Sequence, residues 1–169
     1  MREFREIKVP ELKINPFTMI GREWMLITAG TKEKCNTMTA SWGMLGELWG
    51  NSVSMVFLRP NRYTLEFVER EGFYSLCVFD ETFRKALQYC GSHSGRDGDK
   101  IAAAGLTPVY GEAAPYFQEA KLVFLCRKLY GQKMDPACFI DRSIDAAQYA
   151  KKDYHKMFIG SVEKVLIRD

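Results

Sequence analysis

The 169-residue chain lacks the features that define several large protein classes. It has no apolar run near the ~18 residues that a membrane helix needs, and residues 1–17 contain no apolar signal-peptide core. The formal net charge is only +3 and the basic residues are scattered, so the charge pattern does not favour nucleic acid. We therefore expect a cytoplasmic protein that binds neither a membrane nor a nucleic acid.

The residues of common metal and hydrolase sites are also scarce. The chain has two histidines, His93 and His155, and an odd number of cysteines, five, none of them in a Cys-x-x-Cys pair. Neither a zinc site nor a disulfide framework is expected from this set. No Gly-x-Ser-x-Gly elbow or Cys-His signature occurs, so the sequence gives little support to hydrolytic chemistry.

The length and the apolar pattern favour one domain, which we take as residues 1–169. Short apolar segments predict strands at residues 23–29, 37–42, 52–58, 73–79, 121–130 and 157–167. Helical patterns occur between them, at residues 62–71, 81–90, 100–104 and 141–150. No strand, Gly-rich turn and helix follow one another, which disfavours a Rossmann fold. We expect a mainly β protein with peripheral helices, built on an antiparallel barrel that is closed or half-closed.

A possible phosphate site follows the third predicted strand, at residues 59–64 (RPNRYT). If a helix begins after Asn61, the free backbone N–H groups of its first turn favour an anion. The segment also offers charges and hydroxyl donors, those of Arg59, Arg62, Tyr63 and Thr64. The same spacing fits a capped surface helix with solvated arginines.

A possible ring site precedes it, at residues 36–43 (NTMTASWG), where amide, hydroxyl and aromatic groups are combined. Thr37, Thr39 and Ser41 alternate and therefore share one face of a strand, and Trp42 can stack on a flat ring. A solvent-facing strand and a tryptophan in the core or an interface are the alternatives. A ligand with a flat ring, a polyol and a phosphate is flavin mononucleotide (FMN), which we take as the hypothesis.

The loop at residues 92–100 (SHSGRDGDK) is dense in hydrogen-bond donors. Lys100 near the pyrimidine edge of a flavin would stabilise the reduced, anionic ring. The alternative is an ordinary surface turn in which Asp99 caps a short helix. For His155 the alternative is a strand-edge histidine beside Tyr154.

These segments together resemble the flavin reductase-like family, in the branch that includes flavoredoxin. The resemblance runs in order along nearly the whole chain, through residues 36–43, 56–64, 90–100, 104–108 and 154–160. It implies an FMN-binding split β-barrel of antiparallel Greek-key type. It also implies a homodimer in which the flavin lies near the subunit interface.

The resemblance further implies a set of site residues. Those at the ring and ribityl chain are Asn36, Thr37, Met38, Thr39, Ala40, Ser41 and Trp42. Those at the phosphate are Arg59, Arg62, Tyr63 and Thr64, and the later loop adds Ser94, Gly95, Arg96 and Lys100. His155 and Phe158 are implied on the open face, where a hydride donor stacks.

The function expected from these observations is that of an FMN-dependent oxidoreductase. Electrons or hydride pass from NAD(P)H, or from another redox carrier, through FMN to an acceptor, and the flavin carries the chemistry without a catalytic side chain. The alternative is an FMN-bound electron carrier that exchanges electrons with a redox partner protein. A binder of another planar ligand, such as heme, is a more distant alternative.

Overall fold

A computed structural model describes residues 3–168. This part of the chain forms ten strands, β1 Phe4–Ile7, β2 Met25–Gly30, β3 Cys35–Ala40, β4 Gly43–Leu48, β5 Asn51–Leu58, β6 Phe73–Val78, β7 Pro108–Val109, β8 Tyr116–Phe117, β9 Leu122–Lys133 and β10 Lys156–Arg168. The α-helices are α1 Pro16–Thr18, α2 Thr64–Arg70, α3 Arg84–Ser92, α4 Lys100–Ala103 and α5 Arg142–Gln148. A π-helix at Met19–Glu23 continues α1, and 3-10 helices lie at Val9–Glu11, Glu81–Phe83 and Pro136–Cys138. Within residues 3–168, no helix has the length and apolar character needed to cross a membrane.

Eight strands form one antiparallel sheet in the order β3-β2-β6-β9-β10-β5-β4, with β1 also paired to β10. Strand β10 has 13 residues and pairs with β9 along most of its length. Its other edge is shared, because β5 pairs with residues 156–161 and β1 with residues 165–168. Neighbouring strands are often distant in sequence, as in a Greek key. The predicted mainly β, antiparallel architecture with peripheral helices is confirmed.

The sheet curls around an apolar core. Side chains from six strands of this one sheet meet in a single cluster, represented by Ile27, Met38, Val56, Leu76, Phe124 and Phe158. A second cluster fills the space between the outer face of the sheet and the helices, represented by Leu26, Cys77, Leu87, Ile101, Phe117 and Val123. Because successive side chains of a strand point to opposite faces, β2 and β9 contribute to both clusters. This double burial explains their continuous apolar sequences.

Strand β4 is not among the strands predicted from the sequence. It pairs with β5 as a hairpin in which Leu48 lies opposite Asn51. The two turn residues, Trp49 and Gly50, both have positive φ, 55° and 69°. Positive φ at both central residues is the requirement of a type I′ turn, whose twist matches the paired strands. The hairpin turn therefore keeps this Gly-containing segment in the sheet.

Helix boundaries also differ from expectation. Asn61 is not an N-cap, because the Arg62 N–H donates to the Arg59 carbonyl at 3.0 Å and closes a turn with Pro60 inside it. Helix α2 therefore begins only at Thr64 and has seven residues. Gly91 lies within α3 rather than ending it. The predicted cap at Asp99 is confirmed, since its carboxylate accepts from two N–H groups of α4.

The register shift at Gly160 yields a stability test. The pairing of β10 with β9 shifts register there, and a Cβ at this position would lie 2.5 Å from the Tyr74 hydroxyl. That buried hydroxyl bonds to Ser54 Oγ at 2.7 Å. We expect Gly160→Ala to lower the free energy of unfolding by about 1–3 kcal/mol through overpacking, as measured by urea denaturation.

The matched control is Gly46→Ala in β4, where a Cβ would meet nothing within 4 Å. A surface substitution of this kind changes the free energy of unfolding by about 0.5 kcal/mol or less. Equal effects of the two variants would show that the contact with Tyr74 is not a constraint.

Candidate functional site

A polar pocket of about 250 Å³ lies where the end of β3 meets the turn after β5. Its lining residues are Met38, Thr39, Ala40, Ser41, Trp42, Phe57, Arg59, Arg62, Gln148 and His155. Eight of these were predicted from the sequence as site residues, and Phe57 and Gln148 were not. The structure therefore brings together the end of the predicted ring segment, both predicted arginines and the predicted histidine.

A larger apolar groove of about 750 Å³ adjoins the polar pocket. The two share four residues, Ser41, Trp42, Phe57 and Gln148. The remaining lining residues of the groove are Pro16, Phe17, Ile20, Gly21, Gly43, Met44, Leu45, Met134, Phe139, Ile144 and Tyr149. None of the lining side chains of the groove is ionised at neutral pH, so the charged groups of this region lie in the polar pocket.

Arg62 is positioned in the polar pocket by the end of α3. One of its N–H groups donates to the Gly91 carbonyl at 2.5 Å. A cation is stabilised there, because helix C-terminal carbonyls carry partial negative charge. A guanidinium has five N–H donors in a fixed fork, so this anchor orients the group and leaves donors for an anion in the pocket.

Arg59 has partners within the fold, and its contact with a phosphate stays a prediction. Its guanidinium forms an ion pair with Asp153 at 2.6 Å and donates to the Gln148 carbonyl at 3.0 Å. It also lies 5.2 Å from the centre of the Tyr149 ring. The hydrogen bond from Arg59 lowers the pKa of Asp153 below its ordinary value. Arg59 thus fastens the segment after α5 to the end of β5 and shapes the wall of the pocket.

His155 is a neutral group in this site. Only 6% of it is exposed, and its Nδ1 lies 2.7 Å from the Tyr149 hydroxyl. Burial, followed by the charge of Arg59, lowers its pKa from 6.5 to about 4. The Tyr149 hydroxyl also approaches Met134 Sδ, but a thioether is a weak acceptor. We therefore assign the Tyr149 hydroxyl as the donor and Nδ1 as the acceptor of this hydrogen bond. The proton of the neutral imidazole is then on Nε2.

Three predicted ligand residues are instead internal. The Asn36 amide donates to Thr64 Oγ1 at 2.8 Å, and both side chains are buried. Thr37 is buried as well, hydrogen-bonded to the hydroxyl of Thr28 at 2.8 Å and to the Ile27 carbonyl at 3.2 Å. Their polar groups satisfy one another within the fold, as buried polar groups do. They do not line the polar pocket.

The alternation of hydroxyls on β3 has a structural explanation. Thr37, Thr39 and Ser41 do share one face, but α3 covers most of that face. The Thr39 hydroxyl donates to the Leu87 carbonyl of α3. Ser41 lies past the end of the strand and is exposed. Of these three hydroxyl residues, only Ser41 lines both the polar pocket and the apolar groove.

The later loop lies at a separate cavity of about 340 Å³, whose lining includes Asn36, Tyr63, Gly95 and Lys100. The Lys100 ammonium donates to the carbonyls of Cys90 and His93, at 3.1 and 3.0 Å. Burial lowers the pKa of Lys100 from 10.5 to about 8. Lys100 therefore binds the end of α3 and does not line the polar pocket, and its place at the pyrimidine edge of a flavin stays a prediction.

The other residues of this loop have local partners. Arg96 forms an ion pair with Glu66 and lies 4.5 Å from the centre of the Tyr63 ring. Ser94 Oγ accepts from the Arg96 N–H at 3.2 Å. Gly95 is required by a close approach, since a Cβ there would lie 2.1 Å from Asn36 Oδ1. These contacts fix the loop against β3 and α2, outside the polar pocket.

Phe158 lies in the barrel core and not on the open face where it was expected. It is buried, and it packs against Gly131 of β9. His155 and Phe158 are three residues apart, and positions at odd spacing in an extended chain point to opposite faces. Phe57, opposite Met157 in the register of β10 and β5, provides an aromatic surface at the pocket instead. That strand register is not encoded in any local motif.

A comparison with known families bears on this site. The sequence profile described as Flavin reductase like domain matches residues 18–169. The chain belongs to the flavin reductase-like family. The family resemblance noted in the sequence is thereby confirmed. No curated protein sequence matches the chain.

Solved structures show the fold of this flavin reductase-like chain in other proteins. An FMN-binding domain of a flavin reductases-like enzyme from Shewanella baltica is 17% identical, with a TM-score of 0.70 over 98% of this chain and 78% of that one. Flavoredoxin from Methanosarcina acetivorans is 23% identical, with a TM-score of 0.68 over 92% and 74%. A chain with a split barrel domain from Shewanella frigidimarina is 16% identical, with a TM-score of 0.69 over 95% and 77%. The predicted split barrel is confirmed.

Residues 3–168 of this flavin reductase-like chain contain no group of three or more His, Cys, Asp or Glu side chains placed to hold a metal ion. The cationic side chains that line the polar pocket are those of Arg59 and Arg62.

The environment of His155 predicts a titration in the acid range. Because its pKa is about 4 when folded and 6.5 ordinarily, the unfolded chain takes up the proton first. The contribution of neutral His155 to the free energy of unfolding is fully present above pH 6.5 and is lost as the pH drops towards 4. Proton NMR of the imidazole, assigned by its loss in His155→Gln, should give a midpoint near 4. A midpoint near 6.5 would be incompatible with the buried site.

Proposed function

We propose that the chain binds FMN with its phosphate at Arg62 and acts as an FMN-dependent oxidoreductase. The supporting observation is the polar pocket, which holds Arg62 and His155 and opens beside Trp42 into the apolar groove. One end of this paired cavity suits an anion and the other suits a flat apolar ring. When bound, the flavin supplies the transfer of hydride or electrons.

The shape of the cavity fits such an elongated ligand. Sites for drug-sized ligands span about 300–1,000 Å³. The polar pocket, at about 250 Å³, falls below that range, so the flavin extends past Trp42 into the groove. Trp42 is partly exposed at the junction and offers an aromatic surface against which a ring can stack.

The residues of the pocket have distinct tasks in this proposal. Arg62 neutralises the phosphate through charge-assisted hydrogen bonds, while the Gly91 carbonyl holds its guanidinium in place. Arg59 keeps the segment around Gln148 against the pocket through its ion pair with Asp153. Neutral His155 presents its Nε2–H as a hydrogen-bond donor without adding charge. No side chain has to act as an acid or a base.

The electron donor proposed for this activity is NAD(P)H or another redox carrier. The second candidate function is that of a non-enzymatic electron carrier, favoured by the likeness of the fold to flavoredoxin. Anaerobic stopped-flow mixing of the FMN-loaded protein with NADH or NADPH separates the two. If the protein is a reductase, we expect the flavin absorbance to bleach rapidly after mixing with NADH or NADPH. Bleaching that occurs only with a reduced carrier protein would assign the chain to the second function.

We also propose that the chain is a homodimer. Its exposed aromatic patch at the β4–β5 hairpin supports a second copy as the partner, since Trp49 and Tyr130 lie 6.4 Å apart and are both exposed. Strand β4, at the end of the sheet order, leaves an edge that pairing or covering would protect.

The phosphate assignment gives the main test of the function. Hydrogen bonds to charged groups contribute about 1.5–3 kcal/mol each, so FMN should bind at least about tenfold more tightly than riboflavin. Arg62→Gln should remove most of this difference while leaving riboflavin affinity unchanged. Fluorescence titration of both ligands measures it.

Arg127→Gln is the matched control, because Arg127 is an exposed arginine that pairs with Glu163 outside the pocket. It should retain the wild-type preference for FMN. Equal affinities of wild-type protein for FMN and riboflavin would remove the phosphate site. A parallel loss of both affinities in Arg62→Gln would show a structural role for Arg62 instead.

A further inference from the structure

The apolar groove is larger and less polar than an FMN site alone requires. Its volume is about 750 Å³, three times that of the polar pocket at about 250 Å³. Five aromatic side chains line it: Phe17, Trp42, Phe57, Phe139 and Tyr149. Its rim also exposes large apolar groups, with Phe17 88% and Ile144 45% exposed. A flavin ring at Trp42 leaves part of this groove for a second molecule.

The groove provides no counter-charge for an anionic molecule. Its polar side chains are uncharged at neutral pH, those of Ser41, Gln148 and Tyr149. A dinucleotide carries two phosphates, and burying them without cationic or N–H partners costs free energy. In the adjoining pocket, Arg59 is paired with Asp153, and Arg62 is assigned to the FMN phosphate. The composition of the groove thus selects against a pyrophosphate.

We propose that the apolar groove binds an uncharged, planar organic reactant of the aromatic or quinonoid class. Aromatic walls favour flat rings by stacked or edge-to-face contact. Met44 and Met134 add flexible apolar surface that adapts to different ring shapes. Ser41 and Gln148 supply neutral groups that can hydrogen-bond a carbonyl oxygen. The proposal rests on the proposed function in one respect, which is that FMN occupies the polar pocket beside the groove.

The groove favours a small molecule over a second copy of the chain. It is continuous with the polar pocket through Ser41, Trp42, Phe57 and Gln148, so its occupant contacts walls of the cofactor site. The π-helix at Met19–Glu23 contributes Ile20 and Gly21 to its lining. Such single-turn π segments are frequent at functional sites.

The test uses two isoleucines of the same segment. Ile144 lines the groove, whereas Ile140 is fully exposed and does not line it. Isothermal titration with 2,3-dimethyl-1,4-naphthoquinone, which is uncharged, planar and fully substituted against thiol addition, measures groove binding. Ile144→Glu should weaken this binding by about tenfold, because a charge would face the apolar ring. Ile140→Glu should leave it unchanged.

The redox-inert dinucleotide tetrahydro-NADH is titrated in parallel, and its affinity should be unaffected by Ile144→Glu. FMN affinity should also be unchanged in Ile140→Glu. All titrations are made on FMN-loaded and FMN-free protein, so a failure to bind FMN is distinguished from a failure of the groove to bind the quinone.

Three results would overturn the proposal. The first is equal quinone affinity of wild type and Ile144→Glu. The second is a loss of tetrahydro-NADH affinity in Ile144→Glu, which would make the groove a dinucleotide site. The third is a light-scattering mass of Ile144→Glu that is half that of the wild-type protein. That result would make a second copy of the chain the occupant of the groove.

Discussion

The pairing of β10 with its neighbours is the constraint on which the structure depends. This strand joins β9 on one side and both β5 and β1 on the other, so it fixes the curvature of the whole sheet. Its first residues lie opposite the end of β5, which brings His155 next to Phe57 and to the arginine-containing turn. Residues 156–161 of β10 pair with β5 without a register shift, and this placement follows from that pairing.

A second organising feature is the C-terminal end of α3. Carbonyl groups there accept from three separate elements, since Thr39 of β3, Arg62 of the turn and Lys100 of α4 all donate to them. Two of these donors are cations, which the partial negative charge of a helix end stabilises. The helix end thus joins β3 to the turn after β5 and holds Arg62 at the pocket. Lys100 serves this structural task and does not line the polar pocket.

The difference between Arg59 and Arg62 has a chemical consequence. The two arginines are three residues apart, yet one is neutralised by Asp153 and the other is anchored only through a carbonyl. The pocket therefore keeps one guanidinium oriented for an anion, and the α5 segment is fastened by the other. Burial, followed by both charges, lowers the pKa of His155, which keeps the imidazole neutral beside Trp42. The polar pocket thus combines a cation for an anionic group, a neutral hydrogen-bond donor and an aromatic surface.

Periodicity and local chemistry in the sequence determined six strands of the sheet, the α4 cap at Asp99 and the segments that carry the candidate site. These features depend on neighbouring residues, and neighbours are visible in a linear chain. Only the tertiary structure decided which polar side chains line the polar pocket. Asn36, Thr37 and Thr64 have suitable groups, but α3 and α2 cover them and their hydrogen bonds are made internally. Phe57 and Tyr149 reach the site, and Phe158 does not, because strand register and the path of the α5 segment place residues far apart in sequence side by side.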